Sequence, residues 1–178
     1  MTPSEPMSMP THPIARLAWD AIRTYIQQGE VMQPPADLPE ELERPGGVFV
    51  SIKKEGKLRG CIGTIEPDRP TRAEEAIRNA IHAATMDPRF EPVEASELET
   101  LDVSVDLLRP TEPVADLAAL DPQRFGIVVS SDEGRSVVLP GVHGVDTVER
   151  QLAIARKKLG VGPDEPVTLE RFETERFR

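Results

Sequence analysis

Val48-Phe49-Val50-Ser51-Ile52-Lys53-Lys54-Glu55-Gly56-Lys57-Leu58-Arg59-Gly60-Cys61-Ile62-Gly63-Thr64-Ile65 is the stretch on which the fold turns. Val48, Val50 and Ile52 alternate with Phe49 and Ser51, the pattern of a strand that buries one side. Glu55-Gly56 stands where a tight hairpin turn needs positive φ. Leu58 to Ile65 then reads as the returning strand. Two glycines inside it are unusual, because each weakens a strand by roughly 0.5–1 kcal/mol relative to alanine.

Upstream, Ile14, Leu17, Ala18, Ala21, Ile22, Tyr25 and Ile26 recur at helical spacing, and Gly29 follows as a C-cap. Between that helix and the hairpin lie Pro34, Pro35, Pro39, Pro45 and Gly46-Gly47, a connection long enough to suggest packing or function. Downstream, Thr71-x-x-Glu74 is a capping box. Its helix presents Ala73, Ala76, Ile77, Ala80, Ile81 and Ala84 on one face, and alanines let a helix lie flat on the hairpin. Asp87-Pro88 stops it. Leu101, Val103, Val105 and Leu107 alternate with Asp102, Ser104 and Asp106 in a half-buried strand, closed by Pro110 and Pro113. Ile127-Val128-Val129 and Val137-Val138-Leu139 read as a second hairpin about residues 131–135. Asp146-x-x-Glu149 reads as another capping box, opening a helix with Val148, Leu152, Ala155 and Leu159 in its stripe and Gly160 as its cap. Val167 to Phe177 is a final extended segment of imperfect alternation. Helices interspersed with hairpins predict an α+β fold, a mainly antiparallel sheet with flanking helices. Residues 1–11 read as a flexible arm and residues 12–178 as a single domain.

The 178 residues fit one domain with a sizeable core. Lys and Arg total 21 against 31 Asp and Glu, a net charge of −10, which argues against direct nucleic-acid binding and against anionic membrane surfaces. No apolar run is long enough to span a bilayer, and the N-terminus lacks a signal-peptide pattern. A single cysteine, Cys61, forms no internal disulfide, so a cytoplasmic protein is expected. No phosphate-binding glycine loop is present, and Cys61, His12, His82 and His143 lack ligand spacing. No cofactor and no metal are therefore expected.

Cys61 has two readings. Gly60 and Gly63 leave backbone bare for a ligand, and Arg59, two positions away, favours a reactive thiolate. Alternatively Cys61 is a small core residue and the glycines admit the alanine-rich helix. Asp87 and Arg89 either form an ion-binding or substrate-orienting pair at the rim of the sheet or simply bridge the helix stop. His82, just off the apolar face, and His143, in a glycine-flanked loop, are weaker candidates for a base. Glu66, Asp68 and Asp102 read as solvated carboxylates.

Leu58-Arg59-Gly60-Cys61-Ile62-Gly63 resembles the hallmark of the AMMECR domain family. Supporting segments follow in order: Gly47-Val48-Phe49-Val50 before it, then Asn79-Ala80, Ala83-Ala84, Asp87-Pro88-Arg89-Phe90, Leu101-Asp102-Val103-Ser104-Val105, Pro113-Val114 and Leu139-Pro140-Gly141-Val142. The resemblance covers residues 12–177. One departure is the short Gly141-Val142-His143-Gly144, where the family resemblance implies a longer, more aromatic segment. The resemblance implies a compact α+β domain of two unequal lobes with a cleft between them, and no established activity. It also implies likeness to protein A of the AmmeMemoRadiSam set, with Memo-like and radical SAM proteins as partners. Arg59, Gly60, Ile62, Gly63, Asn79, Asp87 and Arg89 become candidates for ligand binding, and Cys61 the candidate catalytic residue. The expected function is an accessory module holding a small molecule, a peptide or a protein beside Arg59–Gly63. The alternative is a cysteine-dependent enzyme with Cys61 as nucleophile and Arg59 as anion partner. A role beside nucleic-acid modification is disfavoured by the charge.

Overall fold

The structure, a computed structural model, describes residues 9–178, so the first eight residues of the expected arm lie outside it. At the arm's other end Thr11 is tied down, its backbone N–H donating to the Arg178 carbonyl at 3.2 Å. The chain divides into two compact units. One runs through Leu107 and includes Arg176–Arg178; the other is Leu108–Glu175.

In the first unit, α1 (Pro13–Gln28) starts at His12, whose Nδ1 accepts from the Ile14 N–H, and ends at Gly29 with φ 72°. Ile14, Leu17, Ala18, Ala21 and Ile22 are buried as the spacing predicts. The long connection contains a single turn, α2 (Glu40–Glu43), anchored by buried Leu42. The hairpin forms as β1 (Val48–Lys54) and β2 (Lys57–Thr64), with Glu55 and Gly56 at φ 52° and 76°. α3 (Arg72–Thr85) is capped by Thr71, whose hydroxyl accepts from the Glu74 N–H. A 3-10 turn, Ala95–Thr100, leads into β3 (Leu101–Leu108). β1 is antiparallel to both β2 and β3. β2 is one edge of the sheet, and the strand Thr174–Phe177 is the other. α3 packs on β1 and β2, and α1 packs on α3. Val48, Val50, Ile52, Val103 and Val105 form the apolar face, joined to Ala76, Ala80 and Ala84 in one core.

The second unit carries β4 (Glu112–Pro113), β5 (Gly126–Ser131), β6 (Gly134–Val138), α4 (Val148–Leu159) and β7 (Thr168–Phe172). Its sheet order is β4-β7-β5-β6, and its pairings are antiparallel. Pro113 sits in a strand instead of closing one, as a proline can at a two-residue edge. α4 packs on β5 and β6 around Ile127, Val129, Val138 and Ala155. Its N-cap is Thr147, which accepts from the Arg150 N–H; the Asp146 capping box is one residue out of register. The final segment is two strands, β7 in this sheet and β8 (Thr174–Phe177) in the first. Switching sheets at Glu173 is why its alternation is imperfect. Two sheets of antiparallel strands with packed helices make the fold α+β, in two unequal units. No helix among the described residues is long and apolar enough to cross a membrane.

Candidate functional site

The register of the first hairpin decides what surrounds Cys61. A two-residue turn with regular pairing would set Ser51 opposite Gly60. The ladder instead shifts between Ile52 and Lys53: Lys53 faces Leu58 and Ile52 faces Gly60, leaving Arg59 as the extra residue of a bulge. Beyond the bulge Ser51 faces Cys61 and Phe49 faces Gly63. Gly60 and Ile62 thereby join the buried face of Ile52 and Val50, while Cys61 and Gly63 take the other face.

Neither glycine offers bare backbone to a ligand. A Cβ on Gly60 would lie 2.1 Å from the Ala83 carbonyl oxygen, so Gly60 is where α3 meets strand backbone directly. A Cβ on Gly63 would enter the Phe49 ring at 2.1 Å, so that ring occupies the space over Gly63. The alanine-rich helix explains the first glycine but not the second. Ile62 packs against the core of the unit.

Period-two counting sets Arg59 beside Cys61, and in the structure its guanidinium is engaged by Glu97 and the segment before it. From the bulge its Nε and Nη2 form a fork on Glu97, both at 3.1 Å, and its Nη1 and Nη2 also donate to the Glu91 and Pro92 carbonyls. Lys54 joins the same carboxylate at 3.1 Å. Arg59 above all, with the Glu94 N–H and Lys54, holds the Glu97 carboxyl down to about 2 against the opposing effect of burial. Asn79 is also committed elsewhere. Buried on α3, it donates to the Val48 carbonyl at 2.9 Å and to the Thr64 hydroxyl at 3.2 Å. One helical turn earlier the fully buried Glu75 accepts from the Thr64 hydroxyl and from the Asp68 and Arg69 N–H groups. This network fastens the end of β2 to α3, and it satisfies a carboxylate that burial would otherwise penalise heavily.

Asp87, Arg89 and Cys61 do come together. β2 is an edge strand, and the outward N–H of Cys61 donates to Asp87 Oδ2 at 3.0 Å. Arg89 binds the same carboxylate through its backbone N–H at 3.1 Å, Nε at 3.0 Å and Nη2 at 2.8 Å. Burial pushes the Asp87 pKa up, but the guanidinium and the Cys61 and Arg89 N–H groups outweigh it and bring it to about 2. Arg89 is raised in return, chiefly by its hydrogen bond to Asp87 and further by Asp87's charge and by Cys61, which opposes the effect of burial. Arg89 is therefore a cation that acts on Cys61. Asp87 is 3% exposed and Arg89 53% exposed, so the carboxylate is internal and the guanidinium faces water. On the strand face, Ser51 Oγ lies 3.4 Å from Cys61 Sγ.

Among the described residues no three His, Cys, Asp or Glu side chains cluster in a way that could hold a metal ion. His82 lines a cavity on the outer side of α3, and His143 sits in an exposed turn between Gly141 and Gly144, both at positive φ. Asp68 pairs with Arg78 at the surface. Ser51, Glu75 and Glu97 are site residues that sequence reading passes over. A buried glutamate on a helix face of alanines carries no local signal, and Ser51 becomes a neighbour of Cys61 only through the bulge.

The AMMECR1 family model matches residues 15–177. A Thermotoga maritima protein is 46% identical over 170 residues, covering 94% of this chain and 98% of its own length. A longer Clostridium acetobutylicum protein is 42% identical over 93% of this chain, which spans only 36% of it. The crystal structure of an uncharacterized protein from Pyrococcus horikoshii superposes with a TM-score of 0.86 at 33% identity, covering 92% of this chain and 88% of that one.

Proposed function

The chain belongs to the AMMECR1 family, and we propose that it serves as an accessory binding module. Its recognition surface is the edge of β2 at Cys61 together with the Asp87–Arg89 clamp, and its partners are Memo-like and radical SAM proteins. The observation that carries this reading is the chemistry around the thiol. Asp87, held near pH 2 and saturated with donors, is a poor proton acceptor at neutral pH. It is well suited to hold a strand and an arginine still. Arg89 spends Nε and Nη2 on Asp87, and a guanidinium has five N–H donors, so it retains donors for an anionic group on a partner.

The test is calorimetric titration of the chain with Memo-like and radical SAM proteins from the same organism. Arg89→Ala is expected to weaken binding roughly tenfold, in line with a charge-assisted contact. Cys61→Ser is expected to stay within about twofold, since the thiol is not the recognised group. Abolition of binding by Cys61→Ser would count against the module. The second reading, Cys61 as nucleophile, is favoured by Ser51 at 3.4 Å and by the cation of Arg89. It requires a covalent adduct on Cys61, detectable by intact-mass measurement after incubation with the partners.

A further inference from the structure

The outer side of α3 carries a second feature that shares no residue with the Cys61 strand or the Asp87–Arg89 clamp. A cavity of about 520 Å³ lies between α3, the end of α1 and the segment that follows Gly29. Small-molecule sites usually occupy roughly 300–1,000 Å³. Tyr25, Met32, Ile77 and Ile81 supply an apolar lining. Val31 and Met86, also in the lining, are 58% and 64% exposed, unusually open for large apolar side chains.

The polar part of the lining is ordered by the helix. Glu74, Arg78 and His82 succeed one another at a spacing of four, so they form one line along α3 beside Ile77 and Ile81. Arg69, from the loop before the helix, joins them. Glu74 is engaged at the helix start by Thr71, and Arg78 is bridged to Asp68. Arg69 is exposed and carries no ion pair among the described residues. Burial first, then the charges of Arg78 and Arg69, lower the His82 pKa, so the field at the imidazole is positive. An anionic head placed there would meet two guanidiniums and an imidazole N–H, with apolar surface one helical row away.

We propose that this cavity binds a small amphipathic carboxylate, its head held by Arg69, Arg78 and His82 and its apolar body lying on Ile77, Ile81, Met32 and Met86. The bound charge also stabilises the imidazolium form of His82. The titratable and charged groups that share the lining with His82 are Arg78 and Glu74 on its own helix, Arg69 from the preceding loop and Tyr25 from α1, with Asp68 paired to Arg78.

The probe is octanoate, with octanol and octylammonium as comparators of equal length. Titration calorimetry should give one saturable octanoate site, with octylammonium and octanol at least tenfold weaker. Arg69→Glu, at an exposed position, should weaken octanoate roughly tenfold, whereas Lys57→Glu, the same change of net charge at the exposed start of β2, should leave it within twofold. In proton NMR, octanoate should shift the His82 ring resonances and raise their titration midpoint. If Arg69→Glu disturbs the thermal midpoint, Met86→Asp, at an open side chain, takes its place with the same expected loss. Octylammonium or octanol binding as well as octanoate, an unaffected charge variant, an unmoved His82 resonance or no saturable binding would each overturn the proposal.

Discussion

The two units solve one packing problem in opposite ways. Each lays a helix on an antiparallel hairpin, α3 on β1–β2 and α4 on β5–β6. In the second unit a strand serine reaches the helix: Ser136 Oγ donates to the Ala155 carbonyl at 2.7 Å. In the first the strand has no side chain at the contact, and the Ala83 carbonyl stands where a Gly60 Cβ would be. A hydroxyl links α4 to its sheet by one hydrogen bond, while Gly60 lets α3 rest on the strand backbone. Just past the C-terminal end of α3, Asp87 reaches the Cys61 N–H on the sheet edge. The hairpin with a bulge, two glycines and a carboxylate on its edge is the one where charged groups gather about a thiol.

Gly60→Ala should break the comparison most severely. A backbone carbonyl cannot swing aside as a side chain can, so the helix must move, at a cost of about 3 kcal/mol in denaturant titration. Gly63→Ala should cost less, because the half-buried Phe49 ring can turn. A smaller loss for Gly60→Ala than for Gly63→Ala would contradict the direct contact with α3.

Asp87→Ala comes next, with an expected loss of about 2 kcal/mol at neutral pH, the scale of a carboxyl lowered from 3.8 to about 2. Because the folded pKa lies below the ordinary one, this stabilisation is complete above about pH 5. It fades as pH falls toward 2, and Glu97 follows the same direction from 4.5 to about 2. The deficit of Asp87→Ala relative to wild type should therefore shrink between about pH 5 and pH 2. A deficit that stays constant over that window would show that the carboxylate's charge is not what stabilises.

Ser136→Ala is the mildest change, expected to cost about 1 kcal/mol for one hydrogen bond, with the second hairpin otherwise intact. A loss as large as that of Gly60→Ala would erase the distinction between the units.

What was legible in the sequence follows from periodicity and local chemistry. The α1 face, the Glu55-Gly56 turn, the Thr71 cap and the Gly29 and Gly160 caps depend on neighbours a few residues apart, and each forms as read. β3 forms too, but its second face is not wet throughout: Asp106 is buried, held by Arg176 Nε and Nη2 from the last strand. What was not legible depends on pairing at a distance. The bulge at Arg59 and the fork of its guanidinium on Glu97, 38 residues away, are announced by nothing in the strand. Glu75 looks like any helix-surface glutamate until the loop at Asp68 and Arg69 folds over it. The exchange of sheets at Glu173 shows in the sequence only as faulty alternation. Of the candidate site, the Asp87–Arg89 pair was legible, but not the bond from the Cys61 N–H that ties it to the strand.

Backbone amide exchange at Cys61 tests that joint most directly. An edge-strand N–H pointing away from its neighbour has no ladder partner, so its protection must come from Asp87. The Cys61 amide should be protected in the folded protein and should lose that protection in Asp87→Ala while the amides of the β1–β3 ladder keep theirs. A Cys61 amide that exchanges freely in the wild type, or one equally protected in Asp87→Ala, would contradict a site built on that carboxylate.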